Sequence, residues 1–204
     1  MKVGFILECQ TGGPDASVYK YVAEKICPVL VIEKPQTMVN KKRLMEEGPF
    51  VAQTLFESGC DYVFFIWDKK PRWENQSGNC CTDREALTNS LGFLGIDVTK
   101  VFLCCIDEML ESWLIADGRG FMSWIRSKTP HALPEFGDHK NMARQASPKD
   151  IIKRYVRDHY PTWRYDDYED NIEIVKRLPD FNRAARWNDS FRYFKERIEA
   201  ICPN

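Results

Sequence analysis

The 204-residue sequence has no surplus of charge of either sign: 29 Lys and Arg stand against 30 Asp and Glu, a formal net of −1. No global basic field advertises a nucleic-acid partner, so any such partner must be held locally or through metal. No window approaches the roughly 20 apolar residues that span a bilayer, and no membrane partner is expected. The opening Met1-Lys2-Val3-Gly4-Phe5-Ile6-Leu7-Glu8 is too short in its apolar part for a signal peptide and lacks a small-residue cleavage site, so a cytoplasmic protein is expected. Eight cysteines are present, yet none are spaced Cys-x-x-Cys. That argues against zinc, and reduced, structural thiols are expected, with Cys104 and Cys105 packing as small hydrophobes. Walker motifs, repeats and low-complexity tracts are also missing.

What is there is a globular balance of 44% hydrophobic, 13% aromatic and 29% charged residues, in a length that allows one full domain or one domain with an appendage. Short, continuous apolar runs mark buried strands at 3–7, 29–32, 62–67 and 101–106. Between them lie helical patterns: Val18, Tyr19, Val22 and Ile26, started by Asp15 as a cap; a stretch over 40–58 broken at Gly48-Pro49; and a helix over 83–94. An acidic helix start, Asp107-Glu108-Met109-Leu110-Glu111, follows the fourth strand directly. The expected fold class is α/β, with a central four-stranded, mainly parallel sheet flanked by helices and joined by right-handed crossovers. Beyond Gly118 no strand signal returns. Residues 1–127 form the α/β core, and 128–204 form a helical extension packed on it as one structural unit. Its helices start at Ser147-Pro148-Lys149-Asp150, with the serine as capping hydroxyl, and cover 168–178 and 189–201.

Sites in open parallel sheets collect at the strand C-termini. Glu8 closes the first strand, Asp68 the third, and Asp107, Glu108 and Glu111 follow the fourth. Carboxylates converging in one place repel one another and stay ionised only around a cation, for which a hard metal such as Mg²⁺ is the natural occupant. Pairing of Glu8 and Asp68 by Lys69, Lys70 or Arg72 stands beside this as an equal reading, and Asp107 and Asp15 read first as helix caps.

These residues resemble Toprim-fold proteins of the OLD-nuclease type, and within them a prokaryotic family of unknown function. The resemblance runs over nearly the whole chain: Glu8 and Asp68 at strand ends, the segment Leu110-Glu111-Ser112-Trp113-Leu114-Ile115-Ala116-Asp117 as its most specific part, then Ser147-Pro148-Lys149 and a terminal helix with Phe191. It implies a Toprim-like sheet binding Mg²⁺ or Mn²⁺ for phosphodiester chemistry on DNA or RNA. Glu8 would be ligand or general base, Asp68 the leading aspartate of an Asp-x-Asp motif and Glu111 the third acid, with Glu108 beside it. It also implies a defence effector acting with a separate ABC-type, OLD-like ATPase, and it leaves room for an oligomer. Two positions depart from the pattern: Lys70 stands where a second aspartate belongs, and Cys9 where a glycine usually follows the first glutamate. Lys70 would then contact phosphate as a point charge. The rival reading is a non-catalytic Toprim-shaped adaptor for nucleic acid or an ATPase, and a third is other phosphoryl chemistry.

The remaining candidates read as structure. Gly12-Gly13 has neither P-loop nor dinucleotide spacing, though its backbone N–H groups are placed near the acids. His131, His139 and His159 share no ligand spacing on one helix. Phe191, Phe194 and Ile198 make a buried stripe that leaves Arg183, Arg186, Arg192 and Arg197 in solvent, and Lys149, Lys153, Arg154 and Arg157 read as a solvated face in the same way.

Overall fold

The computed structural model of the protein describes residues 1–10, 13–69, 79–129, 131–139 and 147–203. The apolar runs form β1 (Lys2–Leu7), β2 (Val31–Ile32), β4 (Tyr62–Asp68) and β5 (Val101–Ile106); a short strand between them, β3 (Gln36–Thr37), carries no apolar signal. All pairings are parallel, in the order β2-β1-β4-β5, with β3 also on β1. Because β2 pairs with Lys2 and Val3 while β3 pairs with Ile6 and Leu7, the two make one broken edge strand. Pro35 lies in the break, where a missing N–H is tolerated at a sheet edge. The expected run over 29–32 is therefore strand only in its second half, and Val29 is exposed.

Strands buried on both faces need apolar side chains at every position, which is why β1 and β4 read as unbroken runs. Val3, Phe5, Leu7, Phe64 and Ile66 point to one face, beneath α1 (Pro14–Ile26); Ile6, Val63, Phe65 and Trp67 point to the other, beneath α2 (Lys41–Glu57) and α3 (Cys80–Phe93). The break expected at Gly48-Pro49 does not occur, and Pro49 lies inside one continuous helix. Burial of Leu44, Ala52 and Leu55 holds that helix through the proline, tertiary packing overriding local propensity. Gly48 has its own reason to be there. A Cβ at this position would sit 2.7 Å from Cε1 of Phe65, a fully buried ring with no room to give. Gly48→Val should therefore cost about 1–3 kcal/mol, read from urea unfolding. A change within about 0.5 kcal/mol would mean that the helix can lift from the sheet without penalty.

After β5 the chain turns through Glu108 at φ 65°, and the helix expected to start at Asp107 starts at Glu111 as α4 (Glu111–Ala116), followed by α5 (Gly118–Lys128). Asp107 caps neither of these. Its carboxylate accepts from Ser190 N–H at 3.3 Å, and its own N–H donates to Ser190 Oγ at 3.0 Å, tying the sheet edge to the tail. The tail holds α6 (Pro148–His159), α7 (Asp167–Val175), α8 (Phe181–Trp187) and α9 (Asp189–Ile201); α8 has no counterpart in the sequence reading. Ser147 sits at the start of α6 as expected, but its hydroxyl makes no capping bond and faces Met109 Sδ at 3.7 Å. Phe191, Phe194 and Ile198 are buried as the spacing predicts, and the Phe194 ring lies 5.6 Å from Phe64 and 5.3 Å from Trp113. One apolar cluster thus runs from the sheet into the tail.

The cysteines correct an expectation. Cys27 and Cys202 are joined, as are Cys80 and Cys105, while Cys9, Cys60, Cys81 and Cys104 remain thiols. Partners 175 residues apart show no local spacing. Only the docking of α9 beside α1 brings the first pair to a Cα separation of 5.7 Å, within disulfide reach. Among the described residues no helix is long and apolar enough to cross a membrane.

Candidate functional site

With the broken edge strand counted as one, the sheet runs second, first, third, fourth, so the chain leaves β1 toward one side and β4 toward the other. This switch point opens a crevice at the strand C-termini. Glu8 follows β1, and its N–H bonds Ile66 O of β4 at 3.0 Å; Asp68 ends β4 itself. Around them lies a cleft of about 400 Å³ whose walls include Asp15, Glu111, Lys149 and Asp167.

Side-chain alternation decides which neighbours each acid meets. Asp68 shares the face of Phe64 and Ile66, toward α1, α4 and the tail. Burial pushes its carboxyl well above the ordinary range, and the charges of Asp15, Glu111 and Glu8 push the same way, against Lys41. Glu8 shares the face of Ile6, toward α2. Burial raises it to about 7, while the Lys41 charge and the backbone N–H groups of Asp68 and Lys41 resist the rise. Its Oε2 is buried without a hydrogen-bond partner. Such an atom normally costs free energy, and a cation is one of the few groups that satisfies it. The orphaned oxygen, with Lys41 as its opposing charge, is open to a hard divalent ion. Among the described residues no group of three or more His, Cys, Asp or Glu side chains is placed to hold a metal ion.

Asp15 is not the expected cap. Gly13 holds that position, and Asp15 lies in the first turn of α1 facing the cleft, where burial and the charges of Glu111 and Asp167 raise it to about 7. Gly13 is needed there, because a Cβ would sit 2.9 Å from Gln10 O. Glu111 is buried at the start of α4, and its carboxyl is also pushed up by burial and by Asp167. The Tyr165 hydroxyl donates to its Oε1 at 3.4 Å, so the tail orients it. Lys149, at the start of α6, donates to Asp167 Oδ2 at 2.5 Å. Burial works to lower its ammonium, but Asp167, Glu111 and Asp15 together raise it. It is the cation of the outer wall. Behind the floor, Lys41 is buried 3.8 Å from Asp83, which accepts from Trp67 Nε1–H at 3.1 Å.

The structure thus brings Glu8, Asp68 and Glu111 to one cleft. Glu108 does not line it; its Oε1 lies 4.0 Å from Lys69. Lys69 is accordingly turned to Glu108, while Lys70 and Arg72 fall outside the described residues. Cys9 lines the cleft as a neutral thiol, pushed to about 12 by burial and then by Asp15 and Asp68. Val39, also on the wall, has φ 65°, a left-handed conformation that a β-branched residue adopts only under strain. The rest of the 110–117 segment is structural: Trp113 Nε1–H donates to Ser190 Oγ at 2.9 Å, and Asp117 caps α5 through Arg119 N–H at 3.2 Å. Sequence reasoning did not assign Asp15, Lys41, Lys149 or Asp167 to the site. The signal available was the acid and Pro-Lys pair opening α1 and α6, which has meaning only once both helix starts face the same strand ends. Comparison of the chain with known families, with curated proteins and with solved structures finds no match.

Proposed function

We propose that the cleft is a divalent-metal site for hydrolysis of phosphodiester bonds in DNA or RNA, and that the chain is a Toprim-like nuclease. The observation that carries this reading is Glu8 Oε2, buried without a donor at the switch point beside Asp68. Glu8, Asp68 and Glu111 would hold Mg²⁺ or Mn²⁺. A bound ion supplies positive charge at the scissile phosphate and an acidified water. The chain's own residues do the rest. Glu8, which titrates near 7 in the metal-free chain, would serve either as an ion ligand or as the base that takes a proton from water, and not as both at once. Asp15, titrating near the same value, is suited to return one to the leaving oxygen. Lys149 faces the cleft from the tail and offers its ammonium to a phosphate oxygen in exchange for Asp167.

A role in prokaryotic defence and an ABC-type ATPase partner belong to the same proposal and rest on the resemblance of the Glu111 segment. The adaptor reading draws on a different observation: Phe50 and Phe93, 60% and 91% exposed, line a groove between α2 and α3 suited to a protein partner.

The test is Mn²⁺ calorimetry on the wild type and on Glu8→Gln, followed by cleavage assays on single- and double-stranded DNA and RNA. Wild-type binding that weakens at least about 10-fold in the variant, with metal-dependent cleavage lost, is expected. Cleavage that survives Glu8→Gln in pure protein would refute the assigned centre.

A further inference from the structure

Lys149, Lys153 and Arg157 recur every fourth residue of α6, so they stay on one side of the helix, rising about 6 Å from one to the next. Ile151, Ile152 and Val156, which flank this row on one side, are buried. Lys149 lines the acidic cleft. Lys153 and Arg157 line a separate pocket of about 520 Å³ together with Trp163, Arg164 and Tyr165. Lys153, Arg157 and Arg164 are exposed, and among the described residues neither Lys153 nor Arg164 has a carboxylate partner. The Trp163 ring is half-buried, braced by Trp124 at 5.0 Å, with Lys128 Nζ 5.3 Å from its centre. A row of cations that starts at the cleft therefore ends at a fixed aromatic ring among further cations.

We propose that this face of α6 and the pocket at its far end form a track for single-stranded nucleic acid, delivering its backbone to the acidic cleft. The inference rests on the nuclease reading and specifies its substrate as a single strand. Lys153, Arg157 and Arg164 neutralise backbone phosphates without regard to sequence. Trp163, half-buried at the pocket, offers an indole on which only an unpaired base can stack, since a base in a duplex keeps its faces covered by its neighbours; Tyr165 is buried behind it. An acidic peptide would use the cations but not the indole.

The experiment is fluorescence anisotropy with a labelled oligothymidylate strand and a duplex of equal length, with Ca²⁺ present, for the wild type, Lys153→Glu/Arg157→Glu, Trp163→Leu and Trp163→Phe. The strand should bind more tightly than the duplex. Charge reversal at the two exposed positions should weaken strand binding at least about 10-fold and lower the salt slope by about 1.4, the loss of two phosphate contacts at about 0.7 each. Trp163→Leu should weaken strand binding about 10-fold, while heparin binding holds and Trp163→Phe restores most of the affinity. Unchanged strand binding after charge reversal, equal affinity for the duplex, or displacement by oligoglutamate at comparable concentration would each overturn the track. Mn²⁺ calorimetry on the same proteins separates the two ideas. If the track variants bind Mn²⁺ as the wild type does but lose the strand, both stand. If the wild type binds no Mn²⁺ yet strand binding depends on α6, the nuclease reading falls and the track remains.

Discussion

Asp68→Asn should make the metal-free protein more stable by about 1–3 kcal/mol while reducing Mn²⁺ affinity at least about 10-fold and abolishing cleavage. The two effects have one cause. In the folded chain the Asp68 carboxyl is taken out of water and set against Asp15, Glu111 and Glu8, with Lys41 as its opposing charge. An amide of the same shape removes that repulsion and keeps the packing of β4, so the apo protein gains. It also removes an anionic oxygen that a hard cation requires, so the ion loses a ligand. Stability bought at the expense of activity is the mark of a site held in a strained electrostatic state for function. Urea unfolding in chelator, paired with calorimetry, reads both quantities on one preparation. A variant that is less stable in chelator and binds Mn²⁺ as the wild type does would show that the Asp68 carboxylate serves the fold and not an ion.

Stability of the metal-free protein should fall as pH rises from about 4 to 7. Glu8 and Asp15 titrate near 7 in the folded chain, against 4.5 and 3.8 for the unperturbed groups. Over that interval the folded state holds protons that the unfolded state has released, so the slope of stability with pH is negative. The contribution is complete below the unfolded values, is lost as pH passes through the folded ones, and is flat beyond. The groups that set it are Lys41 and Asp83 facing Glu8, and Glu111, Asp167 and Lys149 facing Asp15. Mn²⁺ should reverse the trend, because it binds the ionised acids. At about 100 times its Kd an ion adds about 2.7 kcal/mol, or roughly 5–10 °C in Tm for a chain of this size, above pH 7 and almost nothing near pH 5. Thermal melts with and without Mn²⁺ across this range check the sign directly. A metal-free Tm that climbs steadily through pH 7 would contradict the raised carboxyls.

The strands, the class of fold and two of the cleft's acids follow from local pattern alone. A strand covered on both faces must be apolar at every position, so β1, β4 and β5 are legible as continuous runs, and the charged residue that ends such a run marks the strand's C-terminus. Glu8 and Asp68 are found this way. The stripe of Phe191, Phe194 and Ile198 is legible for the same kind of reason, a helical period of 3.6. The continuity of α2 through Pro49, the broken edge strand and the cysteine pairs are not, because each depends on what packs against the segment and not on the segment itself. Local propensity stops the helix at Gly48-Pro49, whereas burial of Leu44, Ala52 and Leu55 carries it through. The cleft divides along the same line. Sequence marks acids that end strands, but the tail supplies Lys149, Asp167 and the hydroxyl that orients Glu111, from positions whose local signal is only that of helix starts. The chain by itself determined a parallel α/β core with carboxylates at its strand ends. Only the docking of α6, α7 and α9 across that edge decided which charges face one another, because Coulomb and desolvation energies depend on distance in space, and distance along the chain does not fix it.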